Sequence, residues 1–87
     1  MENQTFTILQ ALRHKIITSF LLDGFRHGKR FTVAQIAIAT DIPKNRVNSA
    51  VRMMTGVPVK TTSGMASIFN AGMVGGANTY AAKLVQP

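Results

Sequence analysis

The chain has 87 residues, 46% of them hydrophobic, which is enough for one small core and too apolar for disorder. Ten Lys and Arg against three Asp and Glu give a net charge of +7, which suits a polyanionic partner, nucleic acid above all. Cysteine is absent, which removes disulfides and thiolate metal sites and fits a cytoplasmic protein, and no run approaches the ~20 apolar residues of a membrane span.

Residues 1–6 read as a short, poorly ordered lead-in, and MENQTFT lacks the basic and apolar regions of a signal peptide. A long helix is predicted over residues 7–27. Ile8, Leu12, Ile16 and Phe20 recur four apart, and Leu9, Ile17, Leu21 and Phe25 make a second row. Together they form the broad apolar stripe of a core helix, with Arg13 and His14 turned to water. Gly24 weakens the last turn, and Gly28 is a natural residue just past the helix end.

Lys29-Arg30-Phe31-Thr32 joins this helix to a second, predicted over residues 32–40. Thr32 is a hydroxyl N-cap with Gln35 three residues on, the spacing of a capping box. Val33, Ile36 and Ala37 mark its buried face. Thr40-Asp41 can leave the helical region, and Pro43 forces a bend at Ile42 and can open a third helix, over residues 43–54. Val47, Ala50, Val51 and Met54 form that helix's apolar stripe. Between them lie Lys44, Asn45, Arg46, Asn48, Ser49 and Arg52, all hydrogen-bond donors and none acidic.

The Gln35-Ile36-Ala37 run, the Asp41-Ile42-Pro43 turn, and Val47 and Val51 four apart make Phe31 to Met54 resemble the helix-turn-helix family, with Asp41 in place of the usual turn glycine. The competing reading is an αα-hairpin that only packs, its polar edge facing solvent. After Gly56 the pattern turns β-rich over residues 57–85. Val57 to Thr62 has strand composition, confined by Pro58 to an edge. Residues 65–73 are ambiguous between strand and helical turn, Val74 to Asn78 reads as a loop, and Thr79 to Val85 alternates as a half-buried strand. Two hairpin tips are open, Thr61–Gly64 and Ala71–Asn78, the second slightly favoured for its glycines and flanked by Lys60 and Lys83. The order of elements resembles a winged helix-turn-helix domain, in which the junction of residues 29–32 would form a short strand with Phe31 turned into the core. The expected fold is therefore α+β, mainly α: a single domain with a three-helix core and a C-terminal β-hairpin wing.

The resemblance implies sequence-specific binding of double-stranded DNA by a small transcriptional regulator, with the third helix in the major groove. Lys44, Asn45, Arg46 and Asn48 would meet base edges, where Arg suits guanine and Asn adenine. Lys29, Arg30, Thr32, Gln35, Ser49, Arg52, Lys60 and Lys83 would meet the DNA backbone. A homodimer is expected, because one helix in one groove binds tightly only with help. The alternative is a protein-interaction module or inhibitor docking on an acidic partner. Binding at a membrane surface is disfavoured, since only Lys29 and Arg30 are adjacent cations. No enzyme, metal or cofactor is expected. His14 and His27 lack a nearby carboxylate or second ligand, Ser19, Ser49, Ser63 and Ser67 lack an activating base, and Gly72 to Gly76 lacks a phosphate-loop lysine.

Overall fold

A computed structural model describes residues 2–85, with side chains from Ile8 onward. Its elements in chain order are α1 (Glu2–Arg26), β1 (Phe31–Thr32), α2 (Val33–Thr40), α3 (Lys44–Met54), β2 (Val59–Thr61), β3 (Gly64–Val74) and β4 (Ala77–Leu84). The strands form one antiparallel sheet in the order β1-β4-β3-β2. The expected lead-in gives way to helix, since α1 already includes Glu2; Met1 lies outside the described residues.

The expected mainly-α fold, a three-helix winged helix-turn-helix core with a hairpin wing, is corrected by this architecture. Three helices accompany a four-stranded sheet, and they are not arranged as a typical winged-helix core. The physical reason lies in α1. Its C-terminal half buries Ile17, Leu21 and Leu22, and the helix rests chiefly on the sheet, above all on β4. Earlier in the helix, where a three-helix core would need apolar contacts, Ile8 is 69% and Leu12 51% exposed, and among the described residues only the polar Gln10, Arg13 and His14 turn toward α3. The apolar stripe read from the sequence is thus a core stripe only from Ile17 to Leu22, with Phe25 again exposed.

The core joins Ile17 and Leu21 of α1, Ile36 of α2, Val47 and Val51 of α3, and Ala66, Ile68 and Ala82 of the sheet. Thr18 is buried among them, and its hydroxyl finds no hydrogen-bond partner. Gly24 has a packing reason. A Cβ there would land on the ring of Phe31, within 3.0 Å of its Cζ, and that ring is itself stacked on Phe20 at 4.6 Å between centroids. The helix then ends on Gly28 at φ +71°, with Lys29 N–H donating to the Gly24 carbonyl and Gly28 N–H to that of Phe25. These two bonds are a Schellman motif, in which only glycine takes the left-handed position without strain.

The stretch from Thr32 to Val47 follows its local signals. Thr32 Oγ1 accepts from Gln35 N–H at 3.2 Å while Gln35 Oε1 accepts from Thr32 N–H at 2.9 Å, closing the capping box. α2 stops at Asp41, whose φ of 57° and ψ of 32° are left-handed, a conformation Asp tolerates better than most residues. Pro43 then serves as the N-cap of α3, one residue before the helix, and its carbonyl accepts from Arg46 and Val47.

In the sheet, the ambiguous residues 65–73 are strand throughout, and both candidate tips are real hairpin turns. The loop expected over Val74 to Asn78 shrinks to Gly75-Gly76, both at positive φ, the geometry of a tight type I′ turn. β4 is a central strand rather than a half-buried one, because β1 and β3 flank it and Thr79, Ala81 and Ala82 are all buried. Between Asn70 and Met73 the register slips by one residue: Ala71 and Gly72 together stand opposite Thr79. This bulge is held by side chains, with Thr79 Oγ1 donating to the Gly72 carbonyl at 2.7 Å and Arg30 Nη1 to that of Ala71 at 2.9 Å.

Candidate nucleic-acid interface

The bend at Asp41 to Pro43 separates α2 from α3 and leaves α3 with one buried stripe, Val47, Ala50 and Val51. At 100° per residue the rest of the helix must point away from the core. Lys44, Asn45, Arg46, Asn48, Ser49 and Arg52 are accordingly all exposed. None is drawn back against the body of the protein, and no acid stands on the helix.

The exposed arc of α3 has two flanks. On one, Lys44 and Asn48 line a groove of about 270 Å³ with Thr32, Val33 and Ala34 at the start of α2 and with Ala77, Asn78 and Tyr80 of β4. On the other, Arg46 and Ser49 line a smaller cleft against α1, opposite Gln10, Arg13 and His14. Asn45 and Arg52 stand between the flanks and line neither. The first groove gathers residues from β1, α2, α3 and β4 because β4 runs past the N-terminal ends of both α2 and α3.

The sequence-derived backbone residues divide less evenly. Thr32 and Lys44 reach the groove, but the Thr32 hydroxyl and the Gln35 carbonyl oxygen are already engaged in the capping box. Arg30 is exposed, yet one of its amino groups is tied to the Ala71 carbonyl. Lys29 is exposed at the junction of α1 and β1. Lys60 and Lys83 do not flank the Gly75-Gly76 tip, contrary to expectation. Lys83 pairs with Ser67 and Lys60 with Met65, toward the opposite end of the sheet, and at ~3.3 Å per residue Lys83 is about 20 Å of strand from the turn. The ammonium of Lys83 instead sits 5.4 Å from the centre of the Phe69 ring, a cation–π contact.

Sequence reading missed Gln10, Arg13 and His14 as neighbours of α3, having turned Arg13 and His14 to water; both are half-buried. The only hint available in sequence was that they interrupt an apolar stripe. Burial holds the His14 imidazole below its usual pKa. Among the described residues, no group of three His, Cys, Asp or Glu is placed to hold a metal ion, and no helix is long and apolar enough to cross a membrane. Comparison with protein-family models, with curated proteins and with solved structures finds no match to this chain.

Proposed function

We propose that the protein binds double-stranded DNA through α3, as a small cytoplasmic regulator of transcription that works as a homodimer. One observation carries this reading: six hydrogen-bond donors, Lys44, Asn45, Arg46, Asn48, Ser49 and Arg52, stand exposed on a single short helix free of acids, in a protein of net charge +7. A helix of this width enters a major groove, where the residues near its N-terminal end, Lys44, Asn45, Arg46 and Asn48, reach base edges. Ser49, Arg52, Lys29 and the free donors of Arg30 serve the phosphate backbone. The second copy is supported by α1, whose exposed Ile8, Leu9, Leu12 and Ile16 offer a self-complementary apolar ridge.

A fluorescence-polarisation titration with pooled random duplex at two salt concentrations tests the reading. Binding that neutralises six phosphates weakens by roughly 10³-fold between 50 and 200 mM salt. Asn48→Ala is expected to blunt preference among selected duplexes, at ~1–3 kcal/mol for a lost bidentate base contact. No retention of any duplex at low salt would remove DNA as the partner and leave the second reading, docking on an acidic protein.

A further inference from the structure

The small cleft between α1 and α3 has a composition that the DNA-reading helix alone does not account for. Its volume is about 40 Å³, and it is lined by Gln10, Arg13 and His14 from α1 and by Arg46, Ser49 and Ala50 from α3. Five of these six side chains can donate hydrogen bonds, and two of the five are guanidinium groups. No carboxylate lines it. Of the acids whose side chains are described, Asp23 is nine residues beyond His14 on α1, and Asp41 is in the turn before α3. The two helices are tied together at the cleft, where Gln10 Nε2 donates to Met53 Sδ at 3.7 Å. Among the described residues, two guanidinium groups and an imidazole therefore line one cleft with no carboxylate beside them.

We propose that this cleft is an oxyanion site that takes one phosphodiester of the duplex backbone, beside the strand whose bases face α3. A tetrahedral oxyanion accepts from several donors at once, and the guanidinium groups of Arg13 and Arg46 can each present two parallel N–H bonds to it. Gln10 and the Ser49 hydroxyl supply neutral donors. Arg46 stands on the wall of the cleft and so can serve both this phosphate and the base edge next to it. The carrier of the phosphate, a DNA duplex, rests on the function proposed above; the oxyanion chemistry does not.

His14 turns the site into one that responds to pH. In the free protein, burial disfavours the imidazolium, and Arg13 on its own helix and Arg46 on the facing one are the charged groups beside it. A bound phosphodiester favours the imidazolium instead. Binding must then draw a proton onto His14, and affinity must rise as pH falls through the imidazole range.

Two measurements test this. In the first, the His14 ring resonances are followed by NMR across pH, in chloride and in diethyl phosphate at matched ionic strength; the diester keeps one negative charge throughout. The midpoint is expected to move up in the diester, and to move less in Arg13→Gln. In the second, duplex affinity is measured between pH 8 and pH 6. It should rise by up to about tenfold in the native protein and stay flat in His14→Gln. An unmoved His14 midpoint overturns the site, even if duplex binding is intact. A moved midpoint without any duplex binding keeps the oxyanion site and removes the DNA reading. A moved midpoint with a pH dependence that survives in His14→Gln overturns the duplex phosphodiester as its ligand.

Discussion

The two halves of α1 carry the same kind of residue and meet opposite fates. Ile17, Leu21 and Leu22 are buried under the sheet and the other two helices, while Ile8, Leu9, Leu12 and Ile16, which precede them on the same helix, stand in solvent. Both sets recur at helical spacing, so periodicity alone assigns them to one function. What separates them is reach. The sheet and α2 cover only the C-terminal half of a helix about 37 Å long, at 1.5 Å per residue. The lesson is that spacing fixes which side chains share a face, and the length of the neighbouring elements fixes how much of that face is used for the core. The surplus half is what the proposed second copy would cover.

Four substitutions along this one helix sharpen or break the contrast. Leu21→Ala removes a fully buried side chain from the centre of the core and should cost ~2–5 kcal/mol, read as a lower urea midpoint. Gly24→Ala should come next. Its helix-propensity gain of ~1 kcal/mol is outweighed by the collision with Phe31, a half-buried ring packed on Phe20, so a net loss of ~1–3 kcal/mol is expected. Thr18→Val goes the other way. It deletes a buried hydroxyl that has no partner and keeps the shape, so thermal unfolding should shift upward, by ~1 kcal/mol. Leu12→Ala should change monomer stability least, by under ~0.5 kcal/mol. Its effect should appear instead in sedimentation equilibrium, as a weaker dimer. A loss as large as that of Leu21→Ala would mean that the two halves of α1 do not differ as described.

What could be read from sequence was short-range. The capping box of Thr32 and Gln35, the left-handed Asp41, the break before Pro43 and the Gly28 terminus all depend on backbone preferences and hydrogen bonds that span no more than five residues. The polar arc of α3 was legible for the same reason, since one helix decides it. The architecture was not. The short strand that the resemblance implied at the junction of residues 29–32 is there, as β1 with Phe31 packed on the core, but its pairing with Tyr80 and Thr79, nearly fifty positions away, was not legible. Without that pairing, nothing in the composition distinguishes a hairpin appended to helices from a four-stranded sheet on which α1 lies. The cleft was hidden likewise, because Arg13 and Arg46 become neighbours only when α1 and α3 cross. Lys60 and Lys83 were placed by their proximity in sequence to the glycines, and strand direction carried them to the other end.

The bulge at Ala71 and Gly72 gives the β3–β4 hairpin a joint. An extra residue in one strand bends it and increases its twist, so the segment from Met73 to Asn78 leaves the sheet at an angle the ladder alone would not choose. That angle is set by Arg30 and Thr79, which grip the two bulge carbonyls from outside the ladder, and Arg30 is exposed. Evolution or an engineer can therefore re-aim the tip toward or away from α3 by changing Arg30 or the length of the bulge, while Ile68, Ala82 and the rest of the interior stay as they are.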